Sequence, residues 1–167
     1  MTGGTHRFMK PRKNANRTID GTDCDIIQLL QKDGRITNIE IARKLKVSEA
    51  TVRARMKRLI DDEIIQIVAV SNPIKLGFRV TGSIKIRVDI KKMDAVIREL
   101  KQIEALWFIV QMTSGTGIYT EFVVRSMEEL NELIMQKINP IEGVLDTETN
   151  LIMKFIKRRY DWGTALN

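Results

Sequence analysis

The apolar residues of this 167-residue chain follow two rhythms. Up to Leu59 they recur three and four positions apart, the spacing that gives a helix one buried stripe. Ile26, Ile27 and Leu30 form one stripe, Ile41, Ala42 and Leu45 a second, and Val52, Met56 and Leu59 a third. Each has a start signal. Asp20 precedes the first, with Asp23 three residues on; Thr37 precedes the second, with Glu40 three residues on; Ser48 precedes the third. An oxygen in that position accepts the free N–H groups of the first turn. Gly34 is the expected C-cap of the first helix, and the chain breaks at Lys46–Val47. These signals predict three short helices, with a tight turn between the second and third. That is the pattern of a helix-turn-helix, whose second helix enters the DNA major groove.

The second rhythm begins after Asp62. Ile64–Val70, IIQIVAV, is rich in β-branched residues and predicts a strand leading out of the helical unit. Ser71–Phe78 carries Pro and Gly and reads as a linker. Val80–Asp89 alternates, with Val80, Gly82, Ile84, Ile86 and Val88 on one face, which predicts a strand buried on one side. Lys91–Ile103 places Met93, Val96, Ile97, Leu100 and Ile103 at helical spacing. Ala105–Met112 and Ile118–Arg125 read as strands, and Gly115 and Gly117 mark the turn that joins them into a hairpin. Met127–Ile138 predicts a helix ended by Pro140 and Gly143, and Val144–Ile156 a last strand. The order β-α-β-β-α-β is the ferredoxin-like split βαβ, four antiparallel strands with both helices on one face. In the strand pattern Trp107, Ile109 and Val123 oppose Phe108, Val110 and Phe122, so both sheet faces carry apolar residues. The uncovered one must be buried against something, most simply a second copy related by a two-fold axis. The fold class expected is therefore α+β, a winged-helix-like helix-turn-helix domain joined to a ferredoxin-like βαββαβ domain.

Charge sharpens the picture. The net +7 is uneven. Residues 1–22 hold five bases against one acid, residues 23–70 nine against eight, and residues 71–167 fourteen against twelve. Within the second group, Arg43 to Arg58 holds seven Lys/Arg and one acid, Glu49. A basic face of this kind binds phosphate and makes affinity fall with salt. Charge runs are more often only solvated helix faces, but here cap, turn and basic stripe coincide. Residues 1–18 contain Gly3, Gly4 and Pro11 and have little to bury, so they predict a disordered basic tail. They read either as an arm that tracks the DNA or as an extended start with Met9 as an internal start.

The inventory also excludes. A single cysteine, Cys24, forbids an internal disulfide and a cysteine-based zinc site. The single histidine, His6, lies in the tail. No Ser/His/Asp set, HExxH motif or phosphate-binding glycine loop occurs, so no catalytic residue, metal or cofactor is expected. There is no apolar run of membrane-spanning length and no signal-peptide pattern, which predicts a cytoplasmic protein associated with the nucleoid.

IDGTDCDIIQLLQKDGRI (19–36) and IARKLKVSEATVRARMKRLIDDEII (41–65) resemble the DNA-binding domain of the Lrp/AsnC family, the "feast/famine" regulators of bacteria and archaea. The likeness extends over residues 19–157 and leaves an archaeal source open. The element order of the second half fits the family's effector domain but is shared by many proteins. With the residue pattern, the resemblance gives the expected organisation: a basic tail at 1–18, a helix-turn-helix domain at 19–63, a linking strand and linker at 64–78, an effector and dimerisation domain at 79–157, and a C-terminal tail at 158–167. It implies that 48–58 is the recognition helix. Ser48, Glu49, Thr51 and Arg53 would then lie near base edges, with Arg55, Lys57 and Arg58 near phosphates, and Thr37 and Asn38 would donate to phosphate. The partners implied are double-stranded DNA, further copies forming a dimer and then a tetramer or octamer, and an amino-acid effector.

Two departures stand out. The family often has glycine where Lys46 stands, so lysine there must take positive φ at about 1 kcal/mol. The family also often shows Gly-x-x-Asp entering the third strand of its effector domain. Here the match is Gly117-Ile118-Tyr119-Thr120, with threonine for aspartate. Candidate effector contacts are Thr113, Gly115, Gly117, Tyr119 and Thr120, with Glu121 as a substitute charge. The competing functional reading is an architectural nucleoid protein with little sequence preference. A sensor without a DNA role leaves the basic helix unexplained, and the sheet lacks the paired exposed aromatics of an RNA-recognition motif.

Overall fold

The structure, a computed structural model, describes residues 19–113, 115–157 and 164. The tail expected at 1–18, Ser114 in the hairpin turn and most of the tail at 158–167 lie outside the described residues. The described chain forms two compact units, 19–69 with 157 and 164, and 70–156.

The first unit is three helices: α1 (Gly21–Lys32), α2 (Asn38–Leu45) and α3 (Glu49–Asp61). All three start where the capping residues predict. Asp20 with Asp23, and Thr37 with Glu40, form reciprocal capping boxes, and the Ser48 hydroxyl accepts from the Thr51 N–H at 3.1 Å. The three apolar stripes meet in one core of Ile26, Ile27, Ile41, Ala42, Val52 and Leu59. Lys46 sits at φ 55°, ψ 41°, the left-handed conformation implied by its place in the turn.

Two helix-end expectations are corrected. Gly34 does not cap α1 in the left-handed region. The helix stops at an extended Asp33, whose carboxylate accepts from the Arg35 N–H at 2.9 Å. Ile64–Val70 forms no strand. Its first two residues instead close α3. Glu63 takes φ 58°, and the Ile64 and Ile65 N–H groups return to the Leu59 carbonyl at 2.9 and 3.1 Å. With the Glu63 N–H on the Ile60 carbonyl at 3.0 Å, the Ile64 bond makes a Schellman closure, and both isoleucine side chains pack on the core. A strand exists only by pairing, and the described chain gives this segment no neighbour, so Ile67, Val68 and Val70 are exposed.

The second unit runs β1 (Val80–Val88), α4 (Met93–Leu100), β2 (Leu106–Gln111), β3 (Gly117–Val124), α5 (Met127–Glu132, continued as a π-helical segment Leu133–Ile138) and β4 (Val144–Leu151). The sheet order is β2-β3-β1-β4, antiparallel throughout, which is the ferredoxin-like arrangement. Ile84, Ile86, Val88, Ile118, Phe122 and Val124 pack on Val96, Leu100, Leu130 and Ile138 to make its core. A 3-10 turn precedes α4, which is shorter than the periodicity of 91–103 suggested. The last strand stops at Leu151 rather than Ile156.

The alternation expected in the hairpin is also corrected. Leu106 pairs with Phe122, but Phe108 pairs with Glu121, so Trp107 is an extra residue in a bulge. The bulge reverses the parity of everything after it. Ile109 and Phe122 therefore share the helix-covered face, while Phe108, Val110 and Val123 share the open one.

Candidate nucleic-acid interface and open sheet face

The core stripe of α3 fixes what the helix presents elsewhere. Val52 and Leu59 are fully buried, so the residues on the far side stand in solvent. These are Ala50, Arg53, Ala54 and Lys57. The Arg53 and Lys57 side chains are 70 % and 76 % exposed. Among the described residues each pairs with a same-helix acid four residues away, Glu49 and Asp61 respectively. Such exposed pairs hold weakly and yield to a phosphate or a base. At the N-terminal end Ser48 and Thr51 are tied together, their hydroxyls 2.8 Å apart. Arg43, Lys44 and Lys46, on α2 and the turn, add exposed positive charge.

Arg55 and Arg58 are placed differently. Arg55 Nη1 donates to Asp20 at 2.8 and 2.6 Å and to Asp23 Oδ1 at 2.9 Å. Arg58 Nη2 donates to Asp23 Oδ2. The Asp23 side chain is fully buried, while the two arginines are only about a quarter exposed. Burial pushes the Asp23 carboxyl up, but the bonds from Arg55, the Asp20 N–H and Arg58 outweigh it and hold it below the usual range. Arg55 also holds the Asp20 carboxyl low. These two arginines bind α3 to α1.

Thr37 and Asn38 begin α2, where helix N–H groups attract anions. That position already carries a carboxylate: Glu40 accepts from the Thr37 N–H at 2.9 Å and from its hydroxyl at 2.8 Å, which lowers the Glu40 pKa. A phosphate arriving there competes with Glu40. Ala50 and Ala54 were not singled out from the sequence, although turning 100° per residue from the Val52–Met56–Leu59 stripe locates them.

The effector candidates divide between the two sheet faces. Thr120 is fully buried on the covered side, and its hydroxyl donates to the Phe108 carbonyl at 2.8 Å, inside the bulge. Tyr119 and Glu121 lie on the open side. The Tyr119 hydroxyl donates to Glu121 Oε1 at 3.1 Å, and the Phe108 ring meets the Tyr119 ring edge-on at 6.4 Å. Burial pushes the Tyr119 hydroxyl up, so it stays a donor. Thr113 and Gly115 are in the turn, with Gly115 at φ 79°, and Gly117 opens β3. The open face is itself divided. Trp107, Phe108, Val110, Tyr119 and Val123 make one half apolar, and Lys85, Arg87, Asp146 and Glu148 make the other half charged.

Comparison with known proteins finds two family models along the chain. Residues 19–66 match a winged helix-turn-helix DNA-binding model, and residues 81–162 an Lrp/AsnC ligand-binding domain model. An uncharacterised HTH-type transcriptional regulator of Pyrococcus abyssi is 34 % identical over 148 residues, covering 88 % of this chain and 91 % of that one. Among solved structures, Escherichia coli AsnC superposes with a TM-score of 0.77 at 23 % identity over 86 % of this chain and 97 % of its own. A transcriptional regulator of Neisseria meningitidis, solved as an L-Met complex, gives 0.73 at 23 % identity over 86 % and 96 %. No helix of the described residues is long and apolar enough to cross a membrane.

Proposed function

The chain belongs to the Lrp/AsnC family of transcriptional regulators, and from that membership we propose that it reads paired DNA half-sites through α3 under the control of an amino-acid effector. The observation that carries the DNA part is the geometry of α3. Its N-terminus is capped by Ser48, its core stripe is buried, and Arg53 and Lys57 stand in solvent on the opposite side. Ser48, Glu49, Thr51 and Arg53 take the base-edge end, and Lys57 meets phosphate. The protein works in the cytoplasm on the nucleoid and carries out no catalysis.

A dimer supplies two such helices one helical turn apart. The apolar half of the open sheet face is the surface a second copy covers, and dimers assemble further into a tetramer or octamer. Selection from a random duplex pool at physiological salt is expected to recover a near-palindromic motif. Arg53→Ala in the same selection is expected to lose preference at one position per half-site, at a cost of about 1–3 kcal/mol. Recovery of DNA with no motif would instead mean an architectural role, and a uniform loss across sequences would make Arg53 a phosphate contact.

The effector reading is supported by Tyr119 and Glu121 side by side on the open face next to the Thr113–Gly117 turn, and by the L-Met complex of the Neisseria protein. Glu121 offers the carboxylate that an effector's ammonium group needs. Equilibrium dialysis against the twenty amino acids is expected to find a ligand whose binding Glu121→Gln weakens at least tenfold, about 1.4 kcal/mol. Absence of binding by all twenty removes this part of the reading. A bound effector acts only by favouring one assembly over another.

A further inference from the structure

We infer that Asp20 and Asp23 are specificity-determining residues that hold Arg55 and Arg58 against α1 and so keep two arginines of the recognition helix away from DNA phosphate. This rests on the reading of α3 as the DNA-facing helix. At 100° per residue, Arg55 and Arg58 lie about 150° around the helix from Arg53 and Lys57. Their guanidinium groups are pointed at α1 by four oxygen contacts, three from Asp20 and Asp23 to Arg55 Nη1 and one from Asp23 to Arg58 Nη2, and the Asp20 N–H fixes the buried carboxylate through Asp23 Oδ2 at 3.2 Å. Arg58 Nε is itself shielded from solvent. The acids lie thirty-two and thirty-five residues away in sequence from the arginines they hold.

The consequence follows from how proteins bind DNA. Sequence-independent affinity is almost wholly the charge delivered to phosphate, and it sets the background against which a specific site is found. Of the seven bases between Arg43 and Arg58, two are held by carboxylates of another helix, in pairs with Asp23 that are largely shielded from solvent. The remaining five, Arg43, Lys44, Lys46, Arg53 and Lys57, are exposed. The pairing lowers the background without touching the reading face, and a larger ratio of specific to random binding is what discrimination means.

The test uses the full chain and a random-sequence duplex, with binding measured across a series of salt concentrations. Lys57→Gln is expected to flatten the log–log salt slope by about 0.9 per chain, the value of one phosphate contact. Arg55→Gln is expected to leave it unchanged. Asp20→Asn keeps a good N-cap and loosens Arg55, so it is expected to steepen the slope by up to about 0.9 and raise random-duplex affinity about threefold at low salt. Adding Arg55→Gln to Asp20→Asn should cancel that gain. If Arg55→Gln alone flattens the slope as Lys57→Gln does, Arg55 already touches phosphate and the inference is wrong. The same holds if Asp20→Asn leaves the slope where it was. If Lys57→Gln has no effect, the DNA-facing assignment of α3 falls, and the inference falls with it. Asp23→Asn is the less clean variant because its side chain is buried.

Discussion

Gly82→Ala is expected to lower the stability of the second unit by about 3 kcal/mol, the upper end of what one extra methyl costs in a packed interior. A Cβ at this position would stand 2.2 Å from the Asn150 carbonyl oxygen of β4 and 2.7 and 2.9 Å from the Phe122 ring. No rotamer relieves the first contact, because both partners are backbone. The central strand β1 would have to part from β4 or from β3, and the Phe122 ring fills the core between them. Urea unfolding followed by circular dichroism is the measurement, with Gly21→Ala as control. A Cβ at Gly21 meets nothing within 4 Å, so that variant should be neutral or slightly stabilising. An unchanged midpoint for Gly82→Ala would show that β1 and β4 are not packed this closely.

Asp23→Ala is expected to destabilise the DNA-binding unit by a similar amount, about 3 kcal/mol. Removing one partner of a buried ion pair leaves the other uncompensated, at about 3–5 kcal/mol. The lower figure applies because Arg55 and Arg58 keep a quarter of their surface in water and Arg55 keeps Asp20. The pH dependence gives a second check. The Asp23 carboxyl titrates lower in the folded chain than in the unfolded one. Its contribution is therefore fully present above the unfolded value of about 3.9 and is lost as pH falls through the lower folded value. The gap between wild type and Asp23→Ala should be wide at neutral pH and narrow below about pH 4. A gap that does not narrow in acid would mean that the loss is one of packing rather than of charge.

The helix starts were legible because a cap is decided within one turn. Asp20, Thr37 and Ser48 each needed only the residue three places on to identify them. Strand β1 was legible because its alternation is clean, and the βαββαβ order followed from the change of period. What could not be read depends on distant residues. Ile64–Val70 has the composition of a strand, but a strand needs a neighbour, and Ile64 and Ile65 are used to close α3 instead. The bulge at Trp107 is invisible in a segment that is apolar on both parities, so the pattern puts Phe108 and Phe122 on one face, whereas they lie on opposite ones. Arg55 and Arg58 look like every other base on α3 until Asp20 and Asp23 are brought beside them from α1.

The bulge gives the threonine at 120 a task that a carboxylate cannot take over. Its hydroxyl is sealed from solvent and is the donor that satisfies the Phe108 carbonyl. A carboxylate has no proton to give at neutral pH, so an aspartate placed there would set acceptor against acceptor in a dry interior. The inward direction of Thr120 is fixed by the alternation of β3, with Ile118, Phe122 and Val124 buried on the same side, and by its pairing with Ile84 of β1. Any charge for a ligand must then come from a neighbour of opposite parity, and Glu121 is the adjacent one. The hydroxyl at 120 is in this sense the stopper of the bulge, a neutral donor kept on the side of the sheet where a charge has no use.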